Sequence, residues 1–430
     1  MKTTTIAQQL QPSKINFEEL HEKYRPMLKL VRELIGVIPN CDQFLEIWPV
    51  GFRSYNLVVP NLINLPFSLF GFGAPKALVG LAMYISSREA DCAYCTAHCC
   101  SFAIRRGSST ESLTGETRSS CEESVASVAK SLARIPSDLN NAQVANLAHH
   151  FSPGDVEWIV LSIGMMGFLN KFMDAMGIEL EAECIADVGE MLEATGWKPG
   201  KHGGAKGTIQ AVLGGPMIDN LGTYWRVICQ APSAISIENH WVKGVPDRWP
   251  EVGEFLLNHT GHDFPLLSKL SHKRAIRALV TILRDNLDPK TTEIGLTTKS
   301  LAGLVFSVVV GNKILKEEAQ LMATHYCAQL DENLLEDIEQ FAKKALVEDC
   351  DEIKKSLEEI SSHSDLSRED AACIHLARAA STSPAQISKT ILSEITPILK
   401  PAQIIELMVW LSIQQLMHRL NCFYNAVDTA

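Results

Sequence analysis

Apolar residues recur along most of this chain at the three- and four-residue spacing of helices, and alternating strand patterns are scarce. From Gln143 to Gly177 the apolar positions are Val144 and Leu147, then Val156, Ile159, Val160, Ile163 and Met166. Phe151-Ser152-Pro153 interrupts the run. Pro153 suits the first turn of a second helix, where its missing N–H would have no partner anyway. Gly177 then reads as a helix stop. Leu334, Leu335, Ile338, Phe341, Ala342 and Ala345 form another stripe, and the acids and lysines between them predict a solvated outer face. Leu304–Val310 is rich in β-branched residues, but its flanks are helical, so buried helix is expected. The longest apolar run, Leu57 to Ile85, carries one charge, Lys76. It also holds Pro60, Pro66, Pro75, Gly71, Gly73 and Gly80. That many breakers argue against a spanning helix and for buried loop and core helix.

Two polar, glycine-rich stretches read as connectors, Gly107–Glu122 and Gly196–Gly207. The second is the better boundary. After it, as far as Pro265, glycines, prolines and three tryptophans resist assignment. The expected division is a helical domain over 1–200, a connector over 201–264 and a second helical domain over 265–430. An internal echo supports two related halves. Lys76–Leu81 resembles Lys299–Leu304 at an offset of 223 residues, Ser131–Arg134 resembles His375–Arg378, and Ser152–Ile159 resembles Lys400–Leu407. The order is kept although each match is short, and the shared vocabulary of amphipathic helices is the plainer alternative. At that offset Cys92, Cys95 and His98 fall on Leu315, Glu318 and Leu321. The second half would then be degenerate, serving as structure or as the wall of the site.

With 430 residues, 46% hydrophobic and 21% charged, the chain can bury a substantial core. A net charge of -11 and no basic patch argue against nucleic-acid binding. No apolar stretch of signal-peptide length opens the chain, so a soluble, cytoplasmic protein without a membrane partner is expected. Eight of the 12 cysteines are scattered: Cys41, Cys121, Cys184, Cys229, Cys327, Cys350, Cys373 and Cys422. Free cysteine packs as a small hydrophobe, so these are expected in the core. His149-His150 reads as exposed, and Gly203–Thr208 lacks the spacing of a phosphate loop.

The remaining four cysteines lie together in D-C-A-Y-C-T-A-H-C-C-S-F-A-I-R-R, Asp91–Arg106. A C-x-x-C pair arises easily by chance in a chain with this many cysteines, so its neighbourhood must carry the argument. On a helix, Cys92 and Cys95 are one turn apart, His98 and Cys99 are neighbours of Cys95, and Cys100 points elsewhere. Ser86 with Glu89 fits a capping box, and Asp91 is a second candidate cap. Two thiols one turn apart can close a disulfide, and an imidazole beside one of them can take its proton. Zinc is the competing chemistry, because Cys92, Cys95, His98 and Cys99 are all allowed ligands, although four ligands on two turns of one helix surround a tetrahedron poorly. An inert buried cluster is the third reading.

The segment resembles the core motif of the AhpD-type alkylhydroperoxidases, within the carboxymuconolactone decarboxylase-like superfamily. Asn170–Gly177, N-K-F-M-D-A-M-G, is similar to an element on the last helix of that family, again after a proline-led helix. The resemblance covers about Phe44 to Glu181 and weakens over Pro265 to Val427, where the motif is missing. It implies an all-α fold, here a duplicated AhpD-like bundle with a degenerate second half. It also implies a thiol peroxidase or disulfide reductase with Cys95 peroxidatic, Cys92 resolving and His98 in a proton relay. The implied partners are a small peroxide, a dithiol reductant such as a lipoylated protein and further copies of the same chain, with no bound metal or flavin. Two departures stand out. The histidine lies three residues after the second cysteine rather than four, and the relay glutamate expected twelve residues before the first cysteine is Gly80. A non-catalytic helical interaction protein with a vestigial thiol motif is the alternative that the Gly80 departure and the degenerate second half favour.

Overall fold

Helices begin where the sequence supplies caps. Ser119 with Glu122, Asn140 with Gln143 and Ser367 with Asp370 each form a reciprocal capping box. Ser152 caps the helix that Pro153 opens, and Gly177, at φ 65°, ends it with its N–H on the carbonyls of Asp174 and Met173. The computed structural model describes residues 5–10, 17–203, 218–327, 332–363 and 366–429. Among these there is no strand, and the protein is all-α.

The first series of helices is α1 (Ile6–Leu10), α2 (Phe17–Ile35), α3 (Asp42–Leu45), α4 (Pro49–Leu62), α5 (Lys76–Glu89), α6 (Ala93–Arg105), α7 (Thr110–Thr114), α8 (Ser120–Ala133), α9 (Asn141–His150), α10 (Pro153–Met176) and α11 (Ala182–Ala194). Then come α12 (Leu221–Trp241) and α13 (Glu251–Thr260). The last series is α14 (Lys273–Asn286), α15 (Leu296–Val310), α16 (Lys313–Tyr326), α17 (Glu332–Lys343), α18 (Cys350–Ser361), α19 (Arg368–Ser381), α20 (Lys389–Ile395) and α21 (Pro401–Asp428).

The long helices α10 and α21 pack along each other at the centre. Gly164 and Gly167 permit this approach: a Cβ on Gly167 would lie 2.9 Å from the Gln415 carbonyl oxygen, and one on Gly164 3.1 Å from Leu420. On one side α5 packs against α6, α8 and α10; on the other α15 packs against α16, α17, α19 and α21. α10 is long and apolar enough to cross a membrane, but it is a core helix, with 94% of its most apolar window buried.

Two expectations change, and one unassigned stretch takes form. Residues 221–260, which the sequence left unassigned, are α12 and α13, with α12 packed on α2 and Pro232 inside it. Residues 204–217 of the expected connector, including Gly204–Thr208, lie outside the described residues. Within Gly107–Glu122, α7 and the start of α8 replace much of the loop. The scattered cysteines divide: Cys41, Cys184 and Cys373 are buried, Cys121, Cys327, Cys350 and Cys422 are half-buried, and Cys229 is exposed on α12. A thiol is small enough to sit at a helix flank without a place in the core.

The starts of α5 and α15, and those of α6 and α16, are each 220 residues apart. Cys92 caps α6 by accepting the Cys95 N–H, and Asn312 caps α16 by accepting the Leu315 N–H. In that register Asn312, Leu315 and Glu318 correspond to Cys92, Cys95 and His98.

Candidate active site

Neither Ser86 nor Asp91 caps the cysteine helix. Ser86 lies inside α5, and Glu89 pairs with Arg134 at 2.7 Å. Asp91 takes the left-handed conformation, φ 53°, and turns the chain between α5 and α6. Cys92 is extended and is itself the N-cap; its sulfur accepts the Cys95 N–H at 3.5 Å. Thr96 fixes this turn by donating its hydroxyl to the Cys92 carbonyl at 2.9 Å. The Cys92 sulfur therefore sits at the positive end of a 13-residue helix, with Cys95 one turn in.

Cys95 and His98 line one cavity of ≈ 70 Å³, walled mainly by apolar side chains that include Met83, Met165, Met166 and Met173. Typical small-molecule sites are roughly 300–1,000 Å³, so only a small group fits without rearrangement. A second cavity of the same volume adjoins it, sharing Ile35, Tyr55, Val59 and Leu65, and is roofed by α2 and α12. Cys95 is only 3% exposed and Cys92 is sealed. Burial pushes the Cys95 thiol well above its ordinary range, and the neighbouring Cys92 thiol adds to the shift. Burial also holds Cys99 and Cys100 at about 12. Cys95, Cys99 and Cys100 thus rest as thiols.

A carboxylate reaches His98 from an element the sequence did not point to. Glu181, at the start of α11, accepts His98 Nε2–H at 2.7 Å. Its other oxygen accepts the Tyr94 hydroxyl at 2.7 Å and the Asn40 N–H at 2.5 Å. Burial alone would raise this carboxyl, but His98 and these hydrogen bonds outweigh it and hold the carboxyl below its usual range. With Nε2 committed to Glu181, Nδ1 is the ring's basic nitrogen. Gly80, the expected relay position, could not carry this group. A Cβ there would lie 2.7 Å from the Ala103 Cα, because α5 and α6 touch at that point. Glu181 directly follows the region of the N-K-F-M-D-A-M-G element, yet nothing in the sequence separates it from Glu179 or Glu183.

That element is mostly structural. Asn170 donates to the Ser86 carbonyl at 3.4 Å. Lys171 Nζ donates to the carbonyls of Ala380, Ser381 and Thr382 at 2.9, 3.0 and 2.6 Å. Asp174 pairs with Lys201 at 2.7 Å and accepts the Ala385 N–H at 2.6 Å.

The zinc reading of Cys92, Cys95, His98 and Cys99 meets two obstacles. Glu181 occupies His98 Nε2, and Cys99 faces Ser87 Oγ at 3.6 Å and Met166 Sδ at 3.7 Å. Among the described residues no group of three or more His, Cys, Asp or Glu is arranged to hold a metal ion. His149 is exposed at the end of α9, and His259 is tied to the Phe255 carbonyl.

Fold and site together define an all-α protein in which Cys95 and His98 line one small cavity, with Cys92 sealed one turn before Cys95 and Glu181 bound to the histidine. No family model matches the chain, and no curated protein matches it. A solved structure of the debrominase Bmp8 in its apo form is similar over 40% of this chain and 94% of that one, at 20% identity and a TM-score of 0.36, values that carry no argument.

Proposed function

We propose that this protein is a thiol-dependent peroxidase or disulfide reductase of the AhpD-like type, with Cys95 as nucleophile, Cys92 as resolving thiol and His98 as base. The observation that carries the reading is the shared cavity: the thiol and the imidazole face one space, and Glu181 holds the imidazole from behind.

His98 Nδ1 takes the Cys95 proton as the thiolate attacks the terminal oxygen of a hydroperoxide. The O–O bond breaks, sulfur gains the oxygen as sulfenic acid, and the leaving alkoxide takes the proton as alcohol. The Cys92 thiol then displaces water from the sulfenic acid and closes a disulfide; an external dithiol returns both sulfurs to thiols by exchange. A thiolate of high pKa is scarce but intrinsically more nucleophilic, which partly offsets the burial. The apolar walls favour a small alkyl hydroperoxide. A cleft of ≈ 430 Å³ beside the start of α6, lined by Arg88, Asp91, Ala93, Thr96 and Trp197 among others, is the approach suited to the dithiol. Exposed Leu221, Trp225 and Ile228 share a face of α12, which suits association between copies. The matched starts of α6 and α16 support a duplicated unit whose second copy has no thiol pair.

Peptide mass spectrometry after mild alkyl hydroperoxide treatment tests this. A Cys92–Cys95 bridge is expected in wild type, and a trapped sulfenic acid at Cys95 in Cys92→Ser. Cys95→Ser should have no turnover, and Glu181→Gln should lose about 10- to 100-fold, the usual cost of removing a positioning partner. Undiminished turnover in Cys95→Ser would sink the assignment. The second reading, a helical interaction protein with a vestigial motif, is favoured by the closure of both sulfurs. It predicts no bridge and no turnover in wild type.

A further inference from the structure

A cavity of ≈ 480 Å³ opens between α17, α18 and α19, helices that carry none of the thiol site. Its size falls within the roughly 300–1,000 Å³ of small-molecule sites. Phe341, Leu346, Val347 and Ile360 give it apolar walls. From α19 come His375 and Arg378, three residues apart and so neighbours on one face of that helix.

Both carry polar atoms that the fold encloses and does not satisfy. His375 is 1% exposed, and its Nδ1 has no hydrogen-bond partner. Its ring lies 5.4 Å from that of Phe341, and burial drives it to about 4, so it is neutral near pH 7. Arg378 Nη2 donates to the Lys344 carbonyl at 2.8 Å, which ties α19 to the end of α17. Its Nε and Nη1 are buried and have no partner. The sequence echo sets Arg378 against Arg134, and there the guanidinium is satisfied: it pairs with Glu89 at 2.7 Å and also with Asp138. Arg378 has the matching place and neither carboxylate. Enclosed donors without acceptors are costly to a fold, and an acceptor entering the cavity relieves that cost.

The mouth restricts what that acceptor can be. Asp337, Glu352 and Glu359 are exposed carboxylates along the lining; Asp337 pairs with His363 at 3.4 Å and Glu359 with Lys355 at 3.8 Å. Three acids there oppose a dianion such as phosphate, whereas one guanidinium within matches a single negative charge. The apolar walls call for an apolar body behind that charge.

We propose that this cavity binds a small organic monocarboxylate, its carboxylate on Arg378 and His375 and its apolar body against Phe341, Leu346 and Val347. The site stands whether or not the thiols are catalytic.

Isothermal titration calorimetry on the full chain tests this, with naphthoate as the probe and naphthamide and inorganic phosphate for comparison. Naphthoate should bind at one molecule per chain, at least about tenfold tighter than either comparison compound, because only it combines the apolar body with a charge-assisted hydrogen bond. Arg378→Gln should weaken naphthoate by about 10- to 100-fold, and Arg134→Gln should leave it unchanged. Because Arg378 also ties α19 to Lys344, a second pair of variants leaves that tie intact. Val347→Glu sets a repelling charge in the wall and should lose binding, while Val347→Gln, of the same size, should keep most of it. If Arg378→Gln does not fold, the Val347 pair decides. No saturable binding of naphthoate to wild type overturns the proposal. So does naphthamide or phosphate binding as tightly, an unchanged affinity in a folded Arg378→Gln, or equal affinities in the two Val347 variants.

Discussion

Asp42 is a carboxyl with no partner for either oxygen, almost wholly buried, near Glu46 and Glu181. Burial, with those two charges, raises it to about 8. Glu181, a short way off, is held below the usual range by His98 and its hydrogen bonds despite burial. The two neighbouring carboxyl groups are thus shifted in opposite directions, Asp42 upward and Glu181 downward. The shift of Asp42 also sets a stability slope. Between its unfolded value near 4 and about 8, the folded chain holds a proton that the unfolded chain has lost, so stability falls as pH rises through that window. Asp42→Asn should flatten this slope. Urea unfolding at pH 5 and pH 8 should show wild type losing more than about 1 kcal/mol relative to the variant; parallel losses would refute the assignment. At this scale the sequence made Cys92, Cys95 and His98 visible because they are close in the chain. It hid Glu181 and Asp42, whose surroundings are set by contacts across the fold.

Where α5 crosses α6, Gly80 leaves no room for the relay glutamate that the AhpD resemblance expects there. Gly80→Glu would restore the residue that the AhpD resemblance expects, yet its Cβ would meet the Ala103 backbone at 2.7 Å. Overpacking of this kind costs about 1–3 kcal/mol. A lower melting temperature with no gain in turnover is expected; a stable variant with faster turnover would reinstate position 80 as the relay site. Elements were legible where their punctuation is local. The break at Phe151–Pro153 and the stop at Gly177 both fall where the sequence predicts. The start of α6 was misread because the Ser86–Glu89 spacing also occurs inside a helix, and because a cysteine cap has no distinctive signature. α12 was missed because Pro232 and its exposed Leu221, Trp225 and Ile228 blur the apolar stripe.

Across the whole molecule, charge is buried at the seams between helices. Lys299 on α15 meets Glu406 on α21 at 2.5 Å with both side chains sealed, and Glu406 also accepts the N–H groups of Glu293 and Ile294. Removing one partner strands the other. Glu406→Leu should cost roughly 3–5 kcal/mol by denaturant unfolding, and Lys299→Met added to it should recover much of that loss. A double variant no better than the single would show that the pair is not what holds this seam. The echo read in the sequence has no single register, because short apolar words match at 223 residues and helix caps at 220. The three carbonyls that hold Lys171 bear on how the chain is made. Synthesis delivers α10 long before the end of α19 leaves the ribosome. Until then the Lys171 ammonium has only Asp174 and water beside it, so the seam it will occupy stays wet and unlocked until the last helices arrive.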